Sequence, residues 1–177
     1  MMEIWYTARK KFTIDDEGWL GYMDWAKLHT VSKELITLDF SLCEPIIEVD
    51  FESENVYNVA VVSKSLYFTY CYNSLDFVVV NTLNITDCNI LAVACNPLNE
   101  CRNHPINNFV FVGYDLLDQS NDTSSLTNCG GFEDVFDNDL LNAHGLIDNF
   151  ATASTLRDRL IEMHPEDHHA DTSIWAI

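Results

Sequence analysis

Residues 148–177 read Asp-Asn-Phe-Ala-Thr-Ala-Ser-Thr-Leu-Arg-Asp-Arg-Leu-Ile-Glu-Met-His-Pro-Glu-Asp-His-His-Ala-Asp-Thr-Ser-Ile-Trp-Ala-Ile, and two periodicities meet in them. Phe150, Ala153, Leu156, Leu160 and Met163 recur at steps of three and four, which places them on one face of a helix. Asp148 or Asn149 can start that helix, because a short side-chain oxygen accepts a backbone N–H that has no helical partner. Pro165 ends it, since proline lacks the amide hydrogen and crowds the preceding turn. Thr172 to Ile177, containing Ile174 and Trp175, reads as a terminal strand. A helix followed at once by a strand points to an α+β domain.

The same reasoning carries upstream. Residues 2–7 form a short strand rich in β-formers, and Asp15-Asp16-Glu17 cap a helix that runs to about Leu28. Trp19, Leu20 and Met23 supply its apolar face. Leu35 to Leu42 reads as a strand, Asn89 to Ala94 as a central strand ended at Asn96-Pro97, and Phe109 to Leu117 as another. Asn121-Asp122 marks the turn after it. Asp137-Asn138-Asp139 cap a short helix through Leu140 and Leu141, with Gly145 at its C′ position. Residues 56–83 hold a near-continuous apolar run. Val59 to Val62 and Phe77 to Val80 favour strands, yet the run also suits a buried helix around 65–81, which is the expectation adopted. The sum is a single domain over residues 1–177, a mixed β-sheet covered by helices.

Composition agrees with a packed domain. The chain has 177 residues, 47% of them hydrophobic and 12% aromatic, with six Gly and four Pro, above what disordered chains carry. No apolar run approaches the roughly 20 residues that span a bilayer. Met1-Met2-Glu3-Ile4-Trp5 lacks a basic stretch followed by an apolar one, so no signal peptide is expected and a cytoplasmic location is. Cys43, Cys71, Cys88, Cys95, Cys101 and Cys129 are irregularly spaced without a C-x-x-C pair, which suits free thiols in a reducing compartment.

Charge is the strongest signal. There are 28 Asp plus Glu against nine Lys plus Arg, a net charge of −19. Residues 103–156 contain no Lys or Arg but carry Asp115, Asp118, Asp122, Glu133, Asp134, Asp137, Asp139 and Asp148. Such a surface repels phosphate backbones and anionic membranes, so neither nucleic acid nor a membrane is expected as a partner. It suits a basic protein, whose approach an acidic field accelerates. In Ile46 to Glu54, apolar Ile47, Val49 and Phe51 alternate with Glu48, Asp50 and Glu52, and Glu54 extends the row. As a strand this would set like charges roughly 7 Å apart on one face, storing repulsion that a cationic surface releases. Two stretches are therefore candidate partner-binding faces: Glu48, Asp50, Glu52 and Glu54, and Glu133, Asp134, Asp137 and Asp139. Tyr114 or Trp19 would serve as aromatic anchors if exposed.

Signatures of common chemistry are missing. There is no phosphate-binding Gly-rich loop with its lysine, no dinucleotide fingerprint and no nucleophile elbow. Thr127-Asn128-Cys129-Gly130-Gly131-Phe132 could free backbone N–H groups beside a thiol, with His144 in the following element. A Gly-Gly turn with a buried thiol reads the same residues without catalysis. His164, His168 and His169 cluster with Glu166, Asp167 and Asp171, ligand types suited to zinc. Pro165 breaks the helical spacing a metal motif needs, and a solvated connector accounts for them. No catalytic residue, metal or cofactor is assigned. An enzyme of unrecognised class, with its site near Cys129 or the His164 to Asp171 cluster, is the alternative.

Several strings along the chain belong together: Ser41-Leu42-Cys43-Glu44-Pro45, Phe109-Val110-Phe111-Val112-Gly113-Tyr114-Asp115-Leu116, Leu126 to Phe132, Leu141-Asn142 with Gly145-Leu146-Ile147, and His164-Pro165-Glu166 through His169-Ala170-Asp171 to Trp175-Ala176-Ile177. They resemble an uncharacterised bacterial protein family that is itself similar to the immunity proteins of polymorphic or contact-dependent growth inhibition toxin systems. The resemblance covers roughly residues 88–177 and carries over no site residues. It implies an inhibitor that binds and neutralises a cognate, basic, nuclease-type toxin domain in the cytoplasm.

Overall fold

The computed structural model describes residues 2–12, 17–47, 70–104, 106, 108–118, 123–128, 132 and 134–177, with backbone alone at 17–20 and 168. Five strands form one curled sheet: β1 (Trp5–Lys10), β2 (Cys88–Cys95), β3 (Tyr114–Asp118), β4 (Thr123–Ser124) and β5 (Thr172–Ala176), in the spatial order β1-β2-β5-β3-β4. Three helices accompany it: α1 (Glu17–Trp25), α2 (Leu75–Thr82) and α3 (Phe150–Met163). The α+β class holds. The sheet is not mixed, however, because every pairing among the described strands is antiparallel.

The C-terminal stretch decides the architecture. Asn149 caps α3, its side chain accepting from Thr152 N at 2.9 Å. Ala153, Leu156 and Leu160 are buried against the sheet, whereas Met163 stays largely exposed. The buried apolar stripe thus ends at Leu160, one position earlier than its spacing suggests. β5 then lies between β2 and β3 with every residue buried. Its alternation divides the interior. Ile174 joins Leu116, Tyr114, Leu156 and Leu160 on the α3 side, and Trp175 joins Leu38, Leu91, Leu117 and Leu146 on the other.

Several elements depart from expectation. Leu35 to Leu42 is not a strand. Its backbone donors are taken by side chains: Leu38 N by Asp115, Asp39 N by Thr37, and Ser41 N and Leu42 N by Asp39. Short polar side chains of this kind compete with a ladder for the same groups. The strand over Phe109 to Leu117 shortens to Tyr114–Asp118. It starts only after Gly113, where φ is +150° and an added Cβ would lie 2.6 Å from Leu146 Cβ. Of the helix expected around 65–81, residues 65–69 lie outside the described ones and 70–74 are not helical, Tyr72 bridging to Tyr6 instead; α2 begins only at Leu75 and is not buried throughout, Val78 and Thr82 being covered while Val79 and Val80 face out. The first strand is displaced to Trp5–Lys10. The element at Asp137 is one turn of 3-10 helix, Asn138–Leu140, and Gly145 does not cap it. With φ +81°, Gly145 instead forms the turn from Asn142 to Leu146, where a Cβ would meet Leu35. The Ile46 to Glu54 alternation and the Asn121-Asp122 turn lie outside the described residues, apart from Ile46 and Ile47 at the head of the former.

Candidate functional site

The acidic second half of the chain divides on folding into an interior and a surface. Asp115 and Asp118 are fully buried, so they are no part of any docking face. Asp115 belongs to a ring of polar groups that pins the irregular 35–42 segment to the sheet. Its Oδ2 accepts from Thr37 Oγ1 (2.6 Å) and Leu38 N (3.2 Å), and its Oδ1 from Ser124 Oγ (2.6 Å) and Leu116 N (2.9 Å). Asp39, also buried, completes the ring. Its Oδ1 accepts from Ser41 N, Ser41 Oγ and Leu42 N, and its Oδ2 from Ser124 N and Asn128 Nδ2, both at 2.8 Å. Burial pushes the Asp115 carboxyl up; hydrogen bonds from Ser124, Thr37 and Leu38 oppose that, and the Asp39 charge adds to it. Nothing in the spacing of Asp39 and Asp115 marks them as internal. Only their neighbours in the fold do so.

On the surface, Asp134, Asp137 and Asp139 are exposed, and Glu133 lies outside the described residues. Asp137 caps the 3-10 turn by accepting from Asp139 N at 2.9 Å. Upstream of that turn Asp134 is held on the C-terminal half of α3: Arg159 Nη2 donates to Asp134 O at 3.0 Å, and His164 Nε2 lies 2.9 Å from Asp134 Oδ2. The turn itself is held to the segment after α1, with Asn138 Nδ2 donating to Ala26 O and Thr30 Oγ1 to Asn138 O. Asp134 thereby ties a segment with exposed Asp137 and Asp139 to a helix and connector with exposed Asp158, Glu162, Glu166 and Asp167, a link that sequence reading missed because the two segments are some twenty residues apart. Asp158 and Glu162 are an i, i+4 pair of like charge, mildly unfavourable in an isolated helix. Arg157 answers Asp158 at 2.7 Å. Leu140, Ile161 and Met163 are substantially exposed on these same two segments, so apolar contact area accompanies the charge. Asp148 is set apart from this surface, facing Arg102 at 3.5 Å. The row Glu48, Asp50, Glu52 and Glu54 lies outside the described residues, as do Cys129 and the side chain of Trp19. Tyr114 is wholly buried and cannot be an anchor.

The histidine cluster splits in two. His164 serves Asp134, whereas His169 is buried with Nδ1 2.9 Å from Ser125 Oγ. The Phe132 ring meets both imidazoles edge-on, at 5.1 and 5.0 Å between centroids. Asp167 caps the turn at His169 N, and Asp171 points outward. Ser125 and His169 are a serine–histidine contact that sequence reading did not single out, and both are closed off from solvent. Among the described residues no three His, Cys, Asp or Glu side chains are grouped to hold a metal ion. Burial pushes the Cys43 thiol up to about 12, with the Arg9 charge opposing, and that of Cys95 up to about 11. Such thiols are poor nucleophiles at neutral pH.

The other notable concavity is a cleft of about 580 Å³ along β2, lined by Ile36, Ile90, Ala92, Phe109, Phe111 and Ile177 among others, with Arg102 and His104 at its rim. That volume falls in the range that holds ligands or peptide segments. No described helix is long and apolar enough to cross a membrane. No family model matches the chain, and neither a curated relative nor a solved structure matches it.

Proposed function

We propose that this chain is a binding protein that neutralises a basic protein partner, and specifically an immunity protein that occludes a cognate nuclease-type toxin domain in the bacterial cytoplasm. The observation that supports this reading is the pinning of Asp134 on α3, which ties the segment with exposed Asp137, Asp139 and Leu140 to a helix and connector with exposed Asp158, Ile161, Glu162, Met163, Glu166 and Asp167. Complementary charge speeds encounter and rejects wrong partners, while apolar side chains at the centre of a contact supply most of the holding energy. A toxin that cleaves nucleic acid carries a cationic cleft, and a cluster of carboxylates can occupy it.

Co-expression with the adjacent toxin gene product is expected to yield a complex that co-purifies. Its association rate should fall about tenfold or more between about 50 mM and about 500 mM salt. The triple variant Asp137→Asn, Asp139→Asn, Glu162→Gln keeps the turn cap and the helix but removes three charges. Its association rate should drop severalfold with little change in dissociation. A complex that forms at the same rate at both salt concentrations, or a toxin whose activity is untouched by this protein, refutes the proposal.

A further inference from the structure

The cleft along β2 has the hydrogen-bonding character of an unfilled strand position. Pairing between β2 and β5 is confined to Ala94 and Cys95, opposite Ala176 and Trp175, although β2 begins six residues earlier at Cys88. Along that earlier part β2 has β1 on one side, in an unbroken register from Trp5↔Val93 to Lys10↔Cys88. The orientation of its peptide groups follows from β1. Tyr6 exchanges backbone hydrogen bonds with Tyr72, and Ala8 O accepts from Ile46 N, so both residues direct these groups away from β2. In an antiparallel ladder their opposite numbers do likewise. Ala92, opposite Tyr6, and Ile90, opposite Ala8, therefore turn N–H and C=O away from β1 and into the cleft. No described residue hydrogen-bonds them there.

The far wall is the segment Phe109 to Val112, which lines the same cleft. It reaches the sheet only at its end, where Val112 N donates to Ile177 O and Ile177 N to Gly113 O. The cleft thus has a strand edge on one side and an extended segment on the other. Unpaired strand edges accept an added strand through main-chain hydrogen bonds, with alternate side chains entering apolar pockets. Ile36, Leu91, Phe109 and Phe111 supply such surface. The lining itself carries Arg102 and His104, and three carboxylates stand next to it. Glu34 accepts from Asn89, Asp148 offsets Arg102, and Glu100 borders the adjoining hollow. Burial would raise the Glu100 carboxyl, yet hydrogen bonds from Tyr114, Phe150 and Arg102, with the Arg102 charge, hold it below its usual value.

We infer that the cleft along β2 receives an extended, basic segment of the partner protein, added as a strand whose backbone pairs with Ile90 and Ala92. This rests on the proposed function for the basic character of the partner, while the pairing itself rests on the geometry of β2. From Cys88 to Ala92 the open edge spans roughly 14 Å, at about 3.4 Å per residue, enough for four or five residues of an incoming chain.

The probe is the peptide acetyl-Lys-Val-Lys-Val-Lys-Val-Lys-amide, titrated into the full chain with residue-resolved amide exchange as readout. Exchange at Ile90 and Ala92 should slow about tenfold or more on saturation, while Leu91, already turned toward β1, should be unchanged. One of two N-methylated versions, blocked at the valines or at the internal lysines, should bind roughly tenfold more weakly, because one of them must lose the donors that face β2. The glutamate counterpart should bind more weakly still. Lysine-peptide binding without protection at Ile90 and Ala92, or no binding at about 1 mM, overturns the strand-addition inference and leaves the acidic-inhibitor reading standing. Equal binding by the glutamate peptide, with those amides protected, keeps the strand position but overturns its basic occupant.

Discussion

Asp39→Asn changes one atom and should unsettle the whole 35–42 segment. The carboxylate accepts five hydrogen bonds, three at Oδ1 and two at Oδ2, and donates none. Asparagine fills the same space but must turn an NH2 toward one of these two sets. The lesser conflict puts it at the Oδ2 position, facing Ser124 N and Asn128 Nδ2, two donors against a third. Asn128 keeps its second contact, to Ser41 Oγ at 2.9 Å, but Ser124 is fully buried and its N–H loses the Asp39 carboxylate. A hydrogen bond to a charged acceptor contributes about 1.5–3 kcal/mol, and an orphaned buried donor costs about 1–3 kcal/mol. Removing the Asp39 charge also relieves its repulsion of Asp115, which offsets part of the loss. The expected destabilisation is about 2–4 kcal/mol, a large share of the roughly 5–15 kcal/mol that holds a domain folded. Urea unfolding at neutral pH should show a lower midpoint at unchanged slope, and the melting temperature should fall by roughly 5–15 °C. Asp137→Asn, the same substitution at an exposed cap where asparagine serves equally well, should stay within about 0.5 kcal/mol of the parent chain. Equal stability of the Asp39→Asn and parent proteins would show that the polar ring does not hold the segment.

Two further expectations concern protons. The Asp115 carboxyl is raised in the folded state, so the folded chain holds this proton more tightly than the unfolded one. Its contribution to stability is complete below the ordinary aspartate value of about 3.9 and is lost as pH rises through the folded value. Unfolding of Asp115→Asn should therefore depend less steeply on pH above about pH 4 than that of the parent, and identical pH profiles would contradict the assignment. Among the described thiols, Cys43 and Cys95 should resist alkylation in the native protein at mildly alkaline pH and react on unfolding, because burial disfavours their thiolates. Half-exposed Cys88 should label before either. Peptide mapping after timed alkylation reads this directly, and native labelling of Cys43 at its unfolded rate would be inconsistent with the packing around it.

Much of the secondary structure was legible because local periodicity encodes it. The Asn149 cap, the stripe through Ala153, Leu156 and Leu160, the β2 core from Asn89 to Ala94 and the terminal strand all follow from spacing that any stretch of chain carries by itself. The charge total likewise needs no fold. What only the tertiary structure decided is where each charge goes and which segments meet. Asp115 and Asp134 look alike in sequence, yet one is opposite Trp175 in a buried ladder and the other faces His164 at the surface. Leu35 to Leu42 carries a strand composition, and it bends because Asp115 and Asp39, one of them distant in sequence, capture its amides. The open edge of β2 depends on where β5 stops pairing, a contact between residues some eighty positions apart. Propensity and periodicity act over a turn or a few residues, whereas hydrogen-bond capture and strand order are settled by whichever distant groups packing brings within about 3 Å.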